Sequence, residues 1–151
     1  MKICGVELKG SEAIICLLSF KDGLFTLPEC RVRKVEFNKR NTTGDINYFQ
    51  ATFSKLMADY SINSVIIKER PLKGKFAGGA LGFKMESAIQ LIEGLEVSTM
   101  SPQEFKESIK RNPVTVAFSE TGLKLFQETA FAVAYAKHMN LQYPPSLEAE
   151  A

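Results

Sequence analysis

The stretch KICGVELKGSEAIICLLSF, Lys2 to Phe20, begins the chain with two apolar segments separated by the short polar break KGS. Both segments are rich in residues that favour strands, and Gly10 in the break is typical of hairpin turns. A third segment, Leu24 to Phe37, follows the break KDG and has the same character. The three segments therefore predict an antiparallel meander with the second strand in its centre.

The hydrophobic period changes beyond this meander. From Asp45 to Tyr60 apolar residues recur at three- and four-residue spacing, which predicts an amphipathic helix. The apolar segment SVIIKE, Ser64 to Glu69, predicts a fourth strand. The remaining predicted elements are a helix from Ala77 to near Gly94, a fifth strand LEVSTM, a helix from Pro102 to about Lys110, and a long helix over residues 120–139.

This element order predicts one α/β domain. Right-handed crossovers make the strands after the first helix parallel to strand one, and the compact solution is a five-stranded mixed sheet of order 3-2-1-4-5. Strand two is then antiparallel, and helices cover both faces. The domain is expected over residues 1–143, with a polar C-terminal tail over residues 144–151.

Composition excludes several classes of protein. The chain has 151 residues, 45% of them hydrophobic, and a net charge of +2, which describes one globular domain without a strong overall attraction for anions. Three cysteines without CxxC spacing favour reduced thiols. Glu7 and Lys9 interrupt the first apolar run, so neither a secretion signal nor a membrane span is expected. These features predict a cytoplasmic protein without a membrane partner.

Two carboxylates come at the predicted ligand-binding edge of the sheet. In an open sheet of this order, ligands bind beyond the carboxyl ends of the strands where the direction of growth reverses, between strands one and four. Side chains alternate along a strand, so Ile3, Gly5 and Glu7 share one face of strand one. On strand four, Val65, Ile67 and Glu69 likewise share one face, so each of the two rows ends on a carboxylate. We therefore expect the two carboxylates to lie side by side.

A third acid is predicted to join them. Glu128 precedes the apolar run of the last helix by one turn, and a carboxylate packed there needs a cationic partner. Three such groups predict a site for Mg²⁺ or Mn²⁺, the ions that prefer oxygen ligands. The structural alternative is a set of ion pairs, between Glu7 and Lys9 or Lys68, and between Glu69 and Arg70.

The loop after the fourth strand is rich in cations and glycine. Its cations and a helix N-terminus beside the acids form a candidate phosphate-binding surface. As the alternative, the lysines are merely solvated and the glycines allow close helix packing. The sequence lacks G-x-x-x-x-G-K-[ST] and G-x-G-x-x-G, so the common nucleotide loops are absent. The candidate nucleic-acid-binding residues are Lys68, Arg70, Lys73, Lys75, Lys84, Gly78 and Gly79.

These segments resemble the ribonuclease H-like superfamily, and in particular the RuvC-type Holliday junction resolvases. ICGVELKGSEAIICLL is similar to their first hairpin, in which Glu7 falls at a catalytic Asp, and SVIIKERPLKGKFAGG to their fourth strand, in which Glu69 falls at a catalytic Glu. ETAFAVAYA resembles their last helix, D-x-x-D-A-L-A-x-A. A gapless match places Phe126 and Thr129 at the two Asp positions, with Glu128 one residue away.

The resemblance implies a divalent-metal-dependent nuclease acting on structured or branched nucleic acid, with Glu7, Glu69 and Glu128 as catalytic residues and metal ligands. All three are Glu, whose extra rotatable bond is less suited to the octahedral geometry of Mg²⁺. The alternative is therefore a catalytically inactive nucleic-acid-binding or dimerisation module. The expected partners are nucleic acid, DNA rather than RNA, and a second copy of the chain. We expect a separate bacterial family of unknown function within this fold.

Overall fold

The computed structural model describes residues 1–71, 73 and 79–145. Within these residues the chain forms six strands and four α-helices. The strands are β1 (Lys2–Lys9), β2 (Glu12–Lys21), β3 (Leu24–Thr26), β4 (Lys34–Glu36), β5 (Ser64–Lys68) and β6 (Glu96–Met100). The helices are α1 (Thr43–Asp59), α2 (Ala80–Gln90), α3 (Pro102–Arg111) and α4 (Glu128–Gln142). In the part of the chain that is described, no helix has both the length and the apolar character needed to cross a membrane.

The strands form one mixed sheet of order β3-β2-β1-β5-β6, with β4 also paired to β2. β1 and β2 are antiparallel along their whole length, whereas β1 pairs with β5, and β5 with β6, in parallel. This arrangement confirms the predicted α/β class, the central position of β1 and the reversal of growth beside it. The carboxyl ends of β1, β5 and β6 therefore meet at the same edge of the sheet.

The prediction of one long third strand is wrong. The segment forms two short strands, β3 opposite Ser19–Lys21 and β4 opposite Glu12–Ile14. Pro28 lies between them, and proline cannot donate a backbone hydrogen bond to a sheet. The outer edge of β2 is consequently covered in two pieces, and the sheet has six strands where five were expected.

The last helix is shorter than predicted. It begins at Glu128 rather than near residue 120, and Gly122 within the predicted range has a φ of +77°, which is outside helical geometry. The Gln127 amide then donates to the backbone oxygen of Ile15 at 2.9 Å and accepts from the backbone of Lys124 at 3.0 Å. A buried side chain thus ties the start of α4 to β2.

The other helices begin close to their predicted positions. Thr42 and Asp45 form a reciprocal capping box at the start of α1, and the Ser101 hydroxyl accepts a hydrogen bond from the backbone of Glu104 at the start of α3. α2 begins at Ala80, and its predicted first residue, Ala77, lies outside the described residues.

The sheet separates two hydrophobic clusters. One face packs against α1 and α2, and the other against α4. Because side chains alternate along a strand, Val65 and Ile67 of β5 belong to the first cluster and Ile66 to the second. The same alternation assigns every residue near the strand ends to one face or the other.

α4 packs unusually closely on β1 at Gly5. A β-carbon at this position would lie 2.0 Å from the backbone oxygen of Ala130 and 2.9 Å from the β-carbon of Ala134. Both distances are shorter than van der Waals contact, so only glycine fits here without moving the helix. The apolar run of α4, residues 130–136, is thereby brought directly onto the sheet.

We expect Gly5→Ala to lower the free energy of unfolding by about 3 kcal/mol, since the added methyl group overpacks a backbone contact. Chemical denaturation followed by circular dichroism measures the change. Gly44→Ala is the matched control, because a β-carbon there meets only Thr42 Oγ1 at 3.8 Å. An unchanged stability of Gly5→Ala would contradict the close packing of α4 on β1.

His138 gives the fold a dependence on pH. Its Nε2 lies 2.7 Å from the carbonyl oxygen of Leu18, and because a carbonyl can only accept, Nε2 carries the proton. Burial lowers the pKa of His138, although the hydrogen bond to Leu18 acts in the opposite direction. The folded state therefore favours the neutral ring.

The sign of this effect follows from proton linkage. Between the lowered folded pKa and the unfolded value of about 6.5, the unfolded chain binds more protons, so stability falls as the pH decreases through this window. We expect denaturation midpoints measured from pH 8 to pH 5 to fall less steeply for His138→Gln than for the wild-type chain. Parallel curves for the two proteins would contradict this assignment.

Candidate functional site

A cleft of about 930 Å³ opens at the carboxyl ends of β1 and β5, between the starts of α3 and α4. We call it the strand-end cleft. Its position agrees with the expected ligand site of an open sheet, beside the strand at which the direction of growth reverses. It is lined by Glu7, Lys9, Lys68, Met100, Ser101, Pro102, Phe105, Leu125, Phe126, Glu128, Thr129, Ala132 and Val133.

Glu7 and Lys68 form an ion pair in this cleft. The parallel register sets Val6 of β1 opposite Ile67 of β5, so the next residues, Glu7 and Lys68, lie at the same level of the sheet. Lys68 Nζ is 3.9 Å from Glu7 Oε2, and the Glu7 side chain is only 20% exposed. One structural alternative for Glu7 is therefore observed, because its carboxylate has a lysine as its partner.

Glu69 does not lie beside Glu7 on the same face of the sheet. Lys68 occupies that face with Glu7, and Glu69, one residue later, belongs to the α2 side. Burial raises the pKa of Glu86 on α2, and the charge of Glu69 raises it further, which places these two carboxylates near each other. Glu7 and Glu69 both line a small depression at the rim of the cleft.

The expected side-by-side arrangement of Glu7 and Glu69 is therefore wrong, and strand register is the reason. Each strand alternates as predicted, but the pairing sets odd-numbered residues of β1 beside even-numbered residues of β5 on one face. A difference of one residue in register moves a side chain to the opposite side of a sheet.

Glu128 lies where the sequence predicted, at the entrance to the apolar run. It is the first residue of α4, is exposed, and lines the strand-end cleft together with Glu7. A carboxylate in the first turn of a helix is favoured by the helix dipole. Two of the three predicted acids thus share one cleft.

These residues do not form a fitting metal site. Among the described residues, no group of three His, Cys, Asp or Glu side chains is placed to hold a metal ion. The cleft offers the carboxylates of Glu7 and Glu128 together with the ammonium groups of Lys9 and Lys68. Mg²⁺ and Mn²⁺ require oxygen ligands, and a neighbouring ammonium group competes with them for the same carboxylates.

The predicted cations of the loop are dispersed. Arg70 lies against Gly82 of α2, where an added β-carbon would be 3.3 Å from Arg70 Cδ. Lys84 of α2 donates a hydrogen bond to Asn41, away from the cleft. Lys73 is exposed, Gly79 is the N-cap of α2, and Lys75 and Gly78 lie outside the described residues. Of the described members of this set, Lys68 alone lines the strand-end cleft.

Sequence reasoning missed the aromatic residues of the cleft. Phe105 comes from α3, and Phe126, which is 44% exposed, precedes α4. The signal was an exposed pair, Leu125 and Phe126, inside a segment that had been predicted as continuous helix. An exposed aromatic ring beside lysines is a suitable surface for a nucleic-acid base.

Comparisons with known proteins agree with this architecture. A structure of RuvC from Thermus thermophilus superposes with a TM-score of 0.70 at 12% identity, covering 94% of this chain and 96% of that one. T. thermophilus RuvC in complex with a Holliday junction substrate gives a TM-score of 0.68 at 14% identity, covering 95% and 97%.

Comparison with curated proteins found no match. The family model described as "Protein of unknown function (DUF3010)" matches residues 1–137. This match covers most of the chain, and the superpositions on RuvC cover both chains almost completely. The chain belongs to the DUF3010 family, and its fold is that of the RuvC-type ribonuclease H-like proteins.

Proposed function

We propose that this chain is a nucleic-acid-binding module that holds a phosphate backbone in the strand-end cleft without hydrolysing it. The observation that carries the proposal is the position of Lys68, which lies beside Glu7 where a second carboxylate was expected. The Glu7 carboxylate is paired with a lysine and is therefore a poor metal ligand. Lysines in a cleft attract phosphate.

Three features of the cleft support binding of a phosphate backbone. Lys9 and Lys68 supply positive charge, and among the described residues Lys9 makes no ion pair. The start of α3 at Pro102 also faces the cleft, with the positive end of its helix dipole. Phe126 supplies an exposed ring on which an unpaired base can stack.

The class of ligand follows from the shape of the site and from its structural neighbour. An exposed aromatic ring next to cations suits a substrate with both paired and unpaired segments, which describes a structured or branched nucleic acid. The neighbouring T. thermophilus RuvC is described in complex with a Holliday junction. We therefore propose branched DNA, ahead of RNA, as the partner of this chain.

The test is the affinity of the chain for a fluorescently labelled four-way DNA junction, measured by anisotropy in the presence of a chelator. We expect the double variant Lys9→Gln/Lys68→Gln to bind at least about tenfold more weakly and to reduce the salt dependence of binding by about two phosphate contacts. Lys21→Gln is the matched control for Lys68→Gln alone, since each removes one charge and Lys21 is an exposed lysine at the far end of β2.

Two outcomes would contradict the proposal. Nucleic-acid binding would be ruled out if the wild-type chain bound neither the junction nor duplex or single-stranded DNA at low salt. The site would be wrong if Lys21→Gln weakened binding as much as Lys68→Gln.

The second candidate function is a divalent-metal-dependent nuclease. The observation in its favour is that Glu7 and Glu128 line the same cleft, with Glu69 at the neighbouring rim. In this proposal the three acids are the catalytic residues, and Mg²⁺ or Mn²⁺ is the cofactor.

Cleavage of a branched DNA substrate in Mn²⁺ distinguishes the two candidates. We expect the wild-type chain, Glu7→Gln and Glu128→Gln to give the same background, because no third carboxylate lines the cleft among the residues that the structure describes. Cleavage by the wild-type chain that decreases by about 100-fold or more in Glu7→Gln would instead favour the nuclease.

A further inference from the structure

We infer that Lys68 is the resident cation of the strand-end cleft, and that its ammonium group takes the place of a divalent metal ion beside Glu7, in the cleft that Glu128 also lines. This inference rests on the cleft of the proposed function and deepens it. It identifies which group neutralises Glu7 and which single residue opposes the binding of a metal ion there.

The position of Lys68 is set by the backbone on both sides. Ile67 before it is fully buried in the cluster under α1 and α2, and the backbone N–H of Glu69 after it donates to Met100 at 2.9 Å. The residue between them must face the α4 side of the sheet, where Glu7 lies. The backbone of Lys68 therefore cannot shift along the sheet, away from Glu7, without breaking the pairing of β5 and β6.

The charges in the cleft oppose a divalent ion. A metal ion bound to Glu7 would lie close to the ammonium group of Lys68, and like charges at such a distance repel strongly at a partly buried position. Binding would also require Glu7 to give up its present partner. Glu128 alone offers one exposed carboxylate, which is insufficient for a stable site.

Lys68 remains able to bind a phosphate oxygen while it balances Glu7. Its distance of 3.9 Å from Glu7 Oε2 is longer than a hydrogen bond, and no hydrogen bond from Lys68 to another described residue is present. An ammonium group carries three N–H donors. The N–H groups of Lys68 can therefore donate to an anionic ligand while Lys68 stays beside Glu7.

The geometry implies that a single substitution would create a metal site in the cleft. Lys68→Glu would remove the repelling charge and add a carboxylate at the level of Glu7, in a cleft that already contains Glu128. Three carboxylates around one opening are a suitable oxygen ligand set for Mn²⁺. The wild-type chain and this variant should therefore differ in metal binding before any question of nucleic acid arises.

The experiment is a titration with Mn²⁺ alone, followed by isothermal titration calorimetry and by the electron paramagnetic resonance signal of the free ion. We expect wild-type binding that is too weak to saturate at millimolar Mn²⁺, and a dissociation constant for Lys68→Glu at least about 100-fold below the lower limit that this sets for the wild-type chain. Adding Glu128→Gln to this variant should remove at least about tenfold of that gain, because one ligand is lost.

Two control variants separate the site from a general charge effect. Lys9→Glu makes the same change of charge in the same cleft, two residues from Glu7, and Lys21→Glu makes it at the far end of β2. We expect a small gain for Lys9→Glu and none for Lys21→Glu. Equal gains for Lys9→Glu and Lys68→Glu would overturn the inference.

A second variant protects the test against a folding defect. Lys68→Gln removes the ammonium group without adding a carboxylate, and it should raise Mn²⁺ affinity by about tenfold through the loss of repulsion alone. Thermal unfolding monitors both variants. The inference is overturned if the wild-type chain binds Mn²⁺ and loses it in Glu7→Gln, or if neither variant at residue 68 gains affinity. These readouts contain no nucleic acid, so their failure is distinct from a failure of junction binding.

Discussion

The contact between β1 and α4 at Gly5 is the constraint on which the rest of the molecule depends. With no side chain at this position, the backbone of Ala130 approaches the strand more closely than any other residue would allow. The helix can then cover the centre of the sheet, and its first residue, Glu128, comes to lie at the opening beside Glu7. The cleft therefore depends on helix packing, because the contact between Gly5 and Ala130 fixes the position of α4 relative to β1, and both elements line the cleft.

Much of this architecture could be predicted from the sequence. Periods of two and of about 3.6 residues identified most of the elements, and the rule of right-handed crossovers ordered the sheet around β1. Glu7 was identified because it ends an apolar row, and Glu128 because it precedes an apolar run. The structure places both residues in one cleft. These inferences depend on patterns within single segments, which a sequence displays directly, and on a general rule for connecting them.

What failed depended on relations between segments. Alternation is visible within β1 and within β5, but nothing in either strand says which residue of one lies beside Lys68 or Glu69 of the other. The start of α4 likewise depends on a buried amide, Gln127, that contacts a strand more than a hundred residues earlier in the chain. The first error is a shift of a single residue in register, yet it decides whether a cleft contains an acid or a base.

The division of the third predicted strand has a consequence for self-association. β3 and β4 have three residues each, so the outer edge of the sheet on this side offers only brief runs of backbone donors and acceptors. Short edge strands are poor templates for a further strand from another molecule. A chain with such a long and apolar β2 is therefore guarded against edge-to-edge aggregation along that side by the interruption of the edge, and also by the exposed charges of Lys34 and Glu36 in β4.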